Sequence, residues 1–187
     1  MTKPVELRTK RLTLRQWKAE DYPLFAKINA DPETMKFYQR NLAENESIEM
    51  ANKLRDLISQ RGWGLWAVEK LDSNEFIGFV GLHEPVYDLP MTPCVEIGWR
   101  LDRQYWGNGY ATEAAKAALR YAFEVIGLSE VYSFASTGNT KSYAVMQRLN
   151  MFDTESNFEH PMFPEGHELS EHVLYKITKE QWQQDRV

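Results

Sequence analysis
The stretch from Val95 to Ile126 constrains the fold more than any other part of the chain. Val95-Glu96-Ile97-Gly98-Trp99-Arg100-Leu101 reads as a strand. Over residues 111–126, Ala111, Ala114, Ala118, Ala122 and Val125 recur at helical spacing, with Leu119, Phe123 and Ile126 beside them, as one wide apolar stripe. Between the two lies a loop holding Gly107 and Gly109. A strand that runs through a glycine loop into a long amphipathic helix requires a sheet with helices packed on it.

The other segments repeat this alternation. Leu12-Thr13-Leu14-Arg15-Gln16-Trp17 begins with apolar residues at every second place, a strand signal. A short helix is expected over 22–29. Asp31-Pro32-Glu33 predicts the start of another, because Asp caps free backbone N–H groups and Pro tolerates the first turn. Ile48, Ala51, Leu54, Leu57 and Ile58 set a helix over 46–61, and Gly62 is placed for a left-handed cap. Strands follow over 65–68 and 76–82, parted by the turn Asp72-Ser73-Asn74, and a proline-bounded loop fills 85–93. After the long helix come a strand over 130–135, a helix over 140–149, and strand candidates over 153–158 and 171–178. Strands and helices in this order define a mixed α/β sheet domain. No linker-like stretch divides it, so residues 1–187 are expected to be a single domain.

Charge and cysteine usage exclude several function classes. There are 22 Lys+Arg against 27 Asp+Glu, a formal charge of −5, which argues against nucleic acid as the main partner. One cysteine, Cys94, excludes a disulfide framework or a cysteine-rich zinc site, and it reads as a small apolar filler. No run of 18 apolar residues is present and the opening residues are polar, so the expectation is a cytoplasmic protein with no membrane partner. Three of the four histidines, His160, His167 and His172, lie in the tail at spacings that match no zinc motif. No metal is expected, and a loop histidine with a local hydrogen bond is the simplest role for His160 and His167.

The glycine loop carries the chemistry. Glycines at a strand-to-helix junction let backbone approach a ligand, and the first helical N–H groups have no intrahelical partner. With the helix dipole they suit a phosphate or diphosphate. A dinucleotide fingerprint would need a third glycine where Thr112 stands and an acid at the end of the next strand, which reads Phe134-Ala135-Ser136-Thr137. A Walker loop would need Gly-Lys-Ser/Thr, which does not follow. A nucleotide stays open as another phosphate ligand.

Gln104-x-x-Gly107-x-Gly109 resembles the acyl-coenzyme A loop of the GNAT superfamily of N-acetyltransferases. The likeness extends to Trp106-Gly107-Asn108-Gly109-Tyr110-Ala111-Thr112-Glu113-Ala114, to Thr9-Lys10-Arg11-Leu12-Thr13-Leu14-Arg15, and to Asn139-x-x-Ser142 ahead of Met146-x-Arg148-Leu149. These look like the Rim-type ribosomal-protein N-terminal acetyltransferase branch, over residues 11–178. One departure is Asn150 where relatives usually have Gly; Asn is the next best residue in the left-handed conformation. The resemblance implies a largely antiparallel mixed sheet flanked by helices, with a splay beside the glycine loop. It also implies acetyl-CoA as co-substrate and a primary amine as acceptor. By the same resemblance, backbone of Trp99 and Leu101 pairs with pantetheine, and Gln104, Gly107, Asn108, Gly109, Tyr110, Ala111 and Thr112 form the diphosphate loop. Asn139 either touches the cofactor or caps its helix; capping is the simpler role.

Acetyl transfer needs a neutral amine, so a general base is expected. Glu96, on the strand that feeds the loop, is the leading candidate, with a structural strand glutamate as the equal alternative. His83 and Glu84 are weaker ones. Ser142 is the candidate acid toward the thiol, against a first-turn serine satisfying local backbone groups. Tyr143 reads as packing. Phe37, Trp63 and Trp66 line either the acceptor pocket or the core. A catalytically silent acyl-CoA-binding sensor or interaction module is the alternative function, and a homodimer is among the open oligomeric states.

Overall fold
The period-two pattern of Leu12 and Leu14 becomes strand β2 (Leu12–Arg15), paired antiparallel with β1 (Leu7–Arg8) on one side and β3 (Leu65–Lys70) on the other. The computed structural model describes residues 2–184. They fall into two compact units, one of residues 2–82 with Gly98–Ala118, the other of His83–Ile97 with 119–184.

In the first unit β1, β2, β3, β4 (Phe76–His83) and the Gly98–Leu101 part of β5 (Glu96–Leu101) lie side by side in that order. Gly78 has φ +131°, and a Cβ there would overlap the Arg100 carbonyl, so glycine permits the close approach of β4 and β5. Helices α1 (Asp21–Ala30) and α2 (Glu44–Arg61) pack together, and Gly62 ends α2 at φ +89° as expected. Trp17 anchors the core, its ring 5.0 Å from Phe25 and 5.5 Å from Phe76. Trp66 is fully buried and donates Nε1–H to the Val5 carbonyl, a core role.

No second helix starts at Asp31. Residues 32–37 form turns. The Asp31 carboxylate accepts from both the backbone N–H and the hydroxyl of Thr34, which ties up the capping group in a local turn. The sequence rule recognised the cap correctly but not what it closes.

A buried ion pair joins β2, α1 and β3. The Arg15 guanidinium meets Asp21 bidentately at 2.7 and 2.8 Å, and its Nε donates to Glu69 at 2.8 Å. Asp21 also accepts from the Lys18 N–H. Removing one partner of a buried pair is costly because the other charge is left under-compensated. Asp21→Ala, with Glu69 still in place, should cost about 2–3 kcal/mol and lower Tm by roughly 5–10 °C in a thermal melt. An unchanged Tm would contradict the network's role.

In the second unit β6 (Glu130–Ser136) and β9 (Glu171–Thr178) pair antiparallel from Glu130↔Thr178 to Ser136↔His172. The expected strand over 153–158 is instead two short ones, β7 (Phe152–Asp153) and β8 (Phe158–Glu159), both paired with β9. Glu155 at φ +55° bends the chain between them. Asn139 caps α4 (Thr140–Arg148), and Asn150 takes φ +56° at its end, as expected.

Helix α3 (Tyr110–Tyr121) does not continue as α-helix to residue 126. Ala122–Ile126 is π-helical and closes on Gly127 in the left-handed conformation. The wider i→i+5 turn shifts the phase of the stripe, and Val125, expected inside, is exposed. A last helix, α5 (Lys179–Gln184), follows β9. Among the described residues no helix is long and apolar enough to cross a membrane.

Candidate acyl-coenzyme A site
In the first unit the chain leaves β5 at Leu101 and turns under local control. The Asp102 carboxylate accepts the Gln104 N–H at 3.1 Å and the Gln104 side-chain amide at 3.1 Å, holding a 3-10 turn over Arg103–Tyr105. Trp106 donates its indole N–H to the Leu101 carbonyl at 2.8 Å. Asn108 donates to the carbonyls of Tyr105 and Trp106, both at 3.1 Å. The side chains of Gln104 and Asn108 thus brace the loop from within.

Gly107 and Gly109 both have φ +77°. A Cβ on Gly107 would meet nothing within 4 Å, so that face of the loop is open. The Glu113 N–H bonds to the Gly109 carbonyl at 3.0 Å, which leaves the N–H groups of Tyr110, Ala111 and Thr112 ahead of the first helical bond. Three such donors on an open glycine loop fit a diphosphate.

Arg11 and Glu113 complete this corner. Glu113 accepts from the Thr9 hydroxyl and from the Arg11 N–H and Nε, and the Arg11 guanidinium lies 4.5 Å over the Tyr110 ring. Its Nη2 is 3.7 Å from where a Cβ on Gly109 would stand, so a cation sits at the loop. The sequence held both residues within the recognised motifs, but nothing in their spacing said that they meet.

The second unit holds the candidate chemical groups. Glu96 pairs in parallel with Tyr132 of β6, and one residue on the Ser133 hydroxyl bonds the Ile97 carbonyl at 3.0 Å. The Glu96 side chain is half-buried by area, yet protein atoms crowd its carboxyl and burial pushes its pKa up to about 8. Cys94 is pushed up to about 11, by burial first and then by the charges of Glu96 and Glu130. A thiol so high is not a nucleophile at neutral pH, in keeping with a filler role. Tyr132 rises to about 12 through burial and its hydrogen bond to Glu130. A cavity of about 660 Å³ in this unit is lined by Glu84, Cys94, Glu130 and Tyr132, among others, but not by Glu96. His83 ends β4, half-buried.

The Asn139 side chain accepts the Ser142 N–H at 3.2 Å, the capping role. Ser142 is half-buried in the first turn of α4. The Ser136 hydroxyl, buried and nearby in sequence, has no hydrogen-bond partner among the described residues. Tyr143 stacks on Tyr175 and donates to the Ser136 carbonyl, a packing role. In the first unit Trp63 stacks under the Arg61 guanidinium at 3.9 Å, and Phe37 is half-buried.

The tail histidines make the local hydrogen bonds expected of them: His160 Nδ1 accepts the Met162 N–H and His167 Nδ1 the Leu169 N–H. Two of them also meet inside an aromatic cluster, the rings of His160 and His172 being 4.9 Å apart beside Phe134 and Phe158. Burial, then the charge of His172, lowers His160 to about 4, and burial lowers His172 too. The unfolded chain protonates near 6.5, so between pH 6.5 and 4 it binds more protons than the folded protein. Stability present above pH 6.5 should be lost progressively as pH falls toward 4, and His160→Phe should flatten that slope in thermal melts. A slope unchanged in the variant would contradict the assignment. Among the described residues no group of three or more His, Cys, Asp or Glu is placed to hold a metal ion.

A strand, an open glycine loop and a helix N-terminus with three donor amides form a site suited to a diphosphate group. The model of the GNAT acetyltransferase domain matches residues 11–151, and the chain belongs to that family. It is 35% identical over 184 residues to FsC-acetyl coenzyme A-N(2)-transacetylase of Aspergillus fumigatus, covering 94% of this chain and 77% of that one. Among solved structures, a GNAT acetyltransferase from Bacillus anthracis is similar at TM-score 0.78 and 25% identity, covering 94% and 99% of the two chains. Spermidine N-acetyltransferase from Vibrio cholerae, in complex with CoA and spermine, shares the fold at TM-score 0.72 and 21% identity, covering 94% and 99%. The mixed α/β fold with a mostly antiparallel sheet and flanking helices is thus that of the family, and the family uses acetyl-CoA as co-substrate.

Proposed function
We propose that the whole chain acts as one domain that transfers an acetyl group from acetyl-CoA to a primary amine by direct attack in a ternary complex. The observation that carries this reading is the glycine loop, with Gly107 and Gly109 at φ +77° and the amides of residues 110–112 ahead of the first helical bond. Acetyl-CoA, when bound, supplies an activated acetyl thioester. The loop amides and the positive end of α3 hold its diphosphate, and backbone of Trp99 and Leu101 aligns the pantetheine. As the C–N bond forms and the C–S bond breaks, Asn139 fixes the first turn of α4, where the Ser142 hydroxyl hydrogen-bonds the departing thiolate and relays it a proton from solvent, so that the proton Glu96 takes up returns to water and the serine ends neutral. Glu96 takes the proton that the attacking amine must lose. A carboxyl near pKa 8 suits this, because a base is most effective when its pKa lies close to the working pH.

The motifs of the Rim-type branch support an amine acceptor without fixing its identity. The protein is best placed in the cytoplasm, where acetyl-CoA is available. The test is thiol release from acetyl-CoA across a panel of amino acids, polyamines and peptide N-termini. Amine-dependent release supports the reading. Tight coenzyme A binding without release for any amine would favour the silent binding module instead.

A further inference from the structure
Arg100 is buried, with only 7% of its surface exposed, and it has no carboxylate partner among the described residues. Its Nη1 donates to the Asn29 side-chain oxygen at 2.7 Å, with the Met50 sulfur at 3.9 Å. The guanidinium lies 4.1 Å over the Tyr38 ring and 5.3 Å from that of Phe79. One neutral amide and two ring faces are weak compensation for a full charge taken out of water. The carboxylates flanking its contact residues in sequence are committed elsewhere: Asp31 to Thr34 and Arg103, and Glu46 to Arg40. Asn29 is itself fixed, fully buried and donating to the Ser47 hydroxyl at 3.1 Å.

The unused donors lie on one edge. Nε is buried without a hydrogen-bond partner, and Nη2 makes none among the described residues. Nε and Nη2 form the side-on fork of a guanidinium, two parallel N–H groups at the spacing of two carboxylate oxygens. Arg100 stands on β5 between Trp99 and Leu101, the residues assigned to the pantetheine, and its side chain takes the opposite face of the strand. Tyr38, which lies over the face of the guanidinium, belongs to the connector between α1 and α2 and is half-buried.

We propose that the Nε–Nη2 edge of Arg100 receives a carboxylate of the acceptor, so that the substrate is an amine that also carries a carboxylate, such as an amino acid or its derivative. This rests on the acetyl-transfer reading above. The carboxylate meets that edge in the plane of the guanidinium, with the Tyr38 ring left on its face, and the ion pair supplies a counter-charge.

The experiment compares amino acids with their carboxamides as acceptors, by thiol release, in wild type, Arg100→Gln and Asn29→Asp. Wild type should prefer the carboxylate form, and Arg100→Gln should lose about 100-fold or more in kcat/KM for it while the carboxamides change little. Asn29→Asp guards against a misfolded Arg100 variant. It gives the guanidinium an internal carboxylate, so it should raise Tm and still weaken carboxylate acceptors. Equal use of both acceptor forms, or equal losses on both in Arg100→Gln, overturns the proposal. If no amine is acetylated, the transfer reading fails, and calorimetry with the same amino acids decides the site. Binding lost in Arg100→Gln supports it, and no binding to wild type overturns it.

Discussion

Gly109→Trp should remove coenzyme A binding while leaving a folded protein. Gly109 sits at φ +77°, where a side chain costs about 1–2 kcal/mol, so Tm should fall by a few degrees. Only the Arg11 Nη2, at 3.7 Å, lies within 4 Å of the new Cβ, and it belongs to a side chain that can move. The indole would then occupy the space over the amides of residues 110–112. Affinity for coenzyme A should drop by about 100-fold or more, as expected when a close backbone approach is blocked. Calorimetry with coenzyme A measures it. Retained affinity in a folded variant would mean that the diphosphate lies elsewhere.

Glu96→Gln should lower kcat by about 10²–10⁴-fold, the usual worth of a positioned general base. Wild-type kcat/KM should rise with pH and level off above about 8, following the carboxyl, whereas the variant should lack that limb. The same group predicts a stability effect of defined sign. Its folded pKa, about 8, is raised above the unfolded value, so the folded state binds the extra proton across that window. The contribution is fully present below about pH 4.5 and lost as pH rises through 8. Wild-type Tm should fall over this range relative to Glu96→Gln, by an amount discounted for the part of the side chain that water reaches. Unchanged kcat in the variant would remove Glu96 from the chemistry, and a raised pKa would then report burial alone.

Local rules read well where a single residue decides a local conformation. Gly62 and Asn150 both take the left-handed angle at helix ends, as their residue types require. Asn139 caps α4 for the same kind of reason. The rules failed where a tertiary arrangement decides. Asp31 has the chemistry of a cap but spends it on the Thr34 turn, and the apolar stripe that the spacing extends to residue 126 crosses a π turn that changes its phase. Helix α5 carries a start signal that the apolar pattern alone does not reveal: Thr178 and Gln181 form a reciprocal capping box, the Gln181 side chain accepting the Thr178 N–H and the Thr178 hydroxyl accepting the Gln181 N–H.

The site divides in the same way. The diphosphate loop was legible because its function lies in backbone, and glycines mark where backbone must be bare. Arg11 and Arg100 were not, because a charged residue in a strand or turn looks solvated until the structure shows what surrounds it. Only in three dimensions does Arg11 reach Gly109 and does Arg100 stand without a counter-charge among the described residues.

The central claim is that the loop from Gly107 to Thr112 binds an acyl-coenzyme A. Thermal melts of the wild-type protein with acetyl-CoA, coenzyme A, NAD and ATP side by side test it most directly. A ligand at 100 times its Kd stabilises by about 2.7 kcal/mol, which is roughly 5–10 °C for a chain of this length. Shifts of that size with acetyl-CoA and coenzyme A, and not with NAD, are the expected result. A shift with NAD or ATP alone, or none with either coenzyme A ligand, would contradict it.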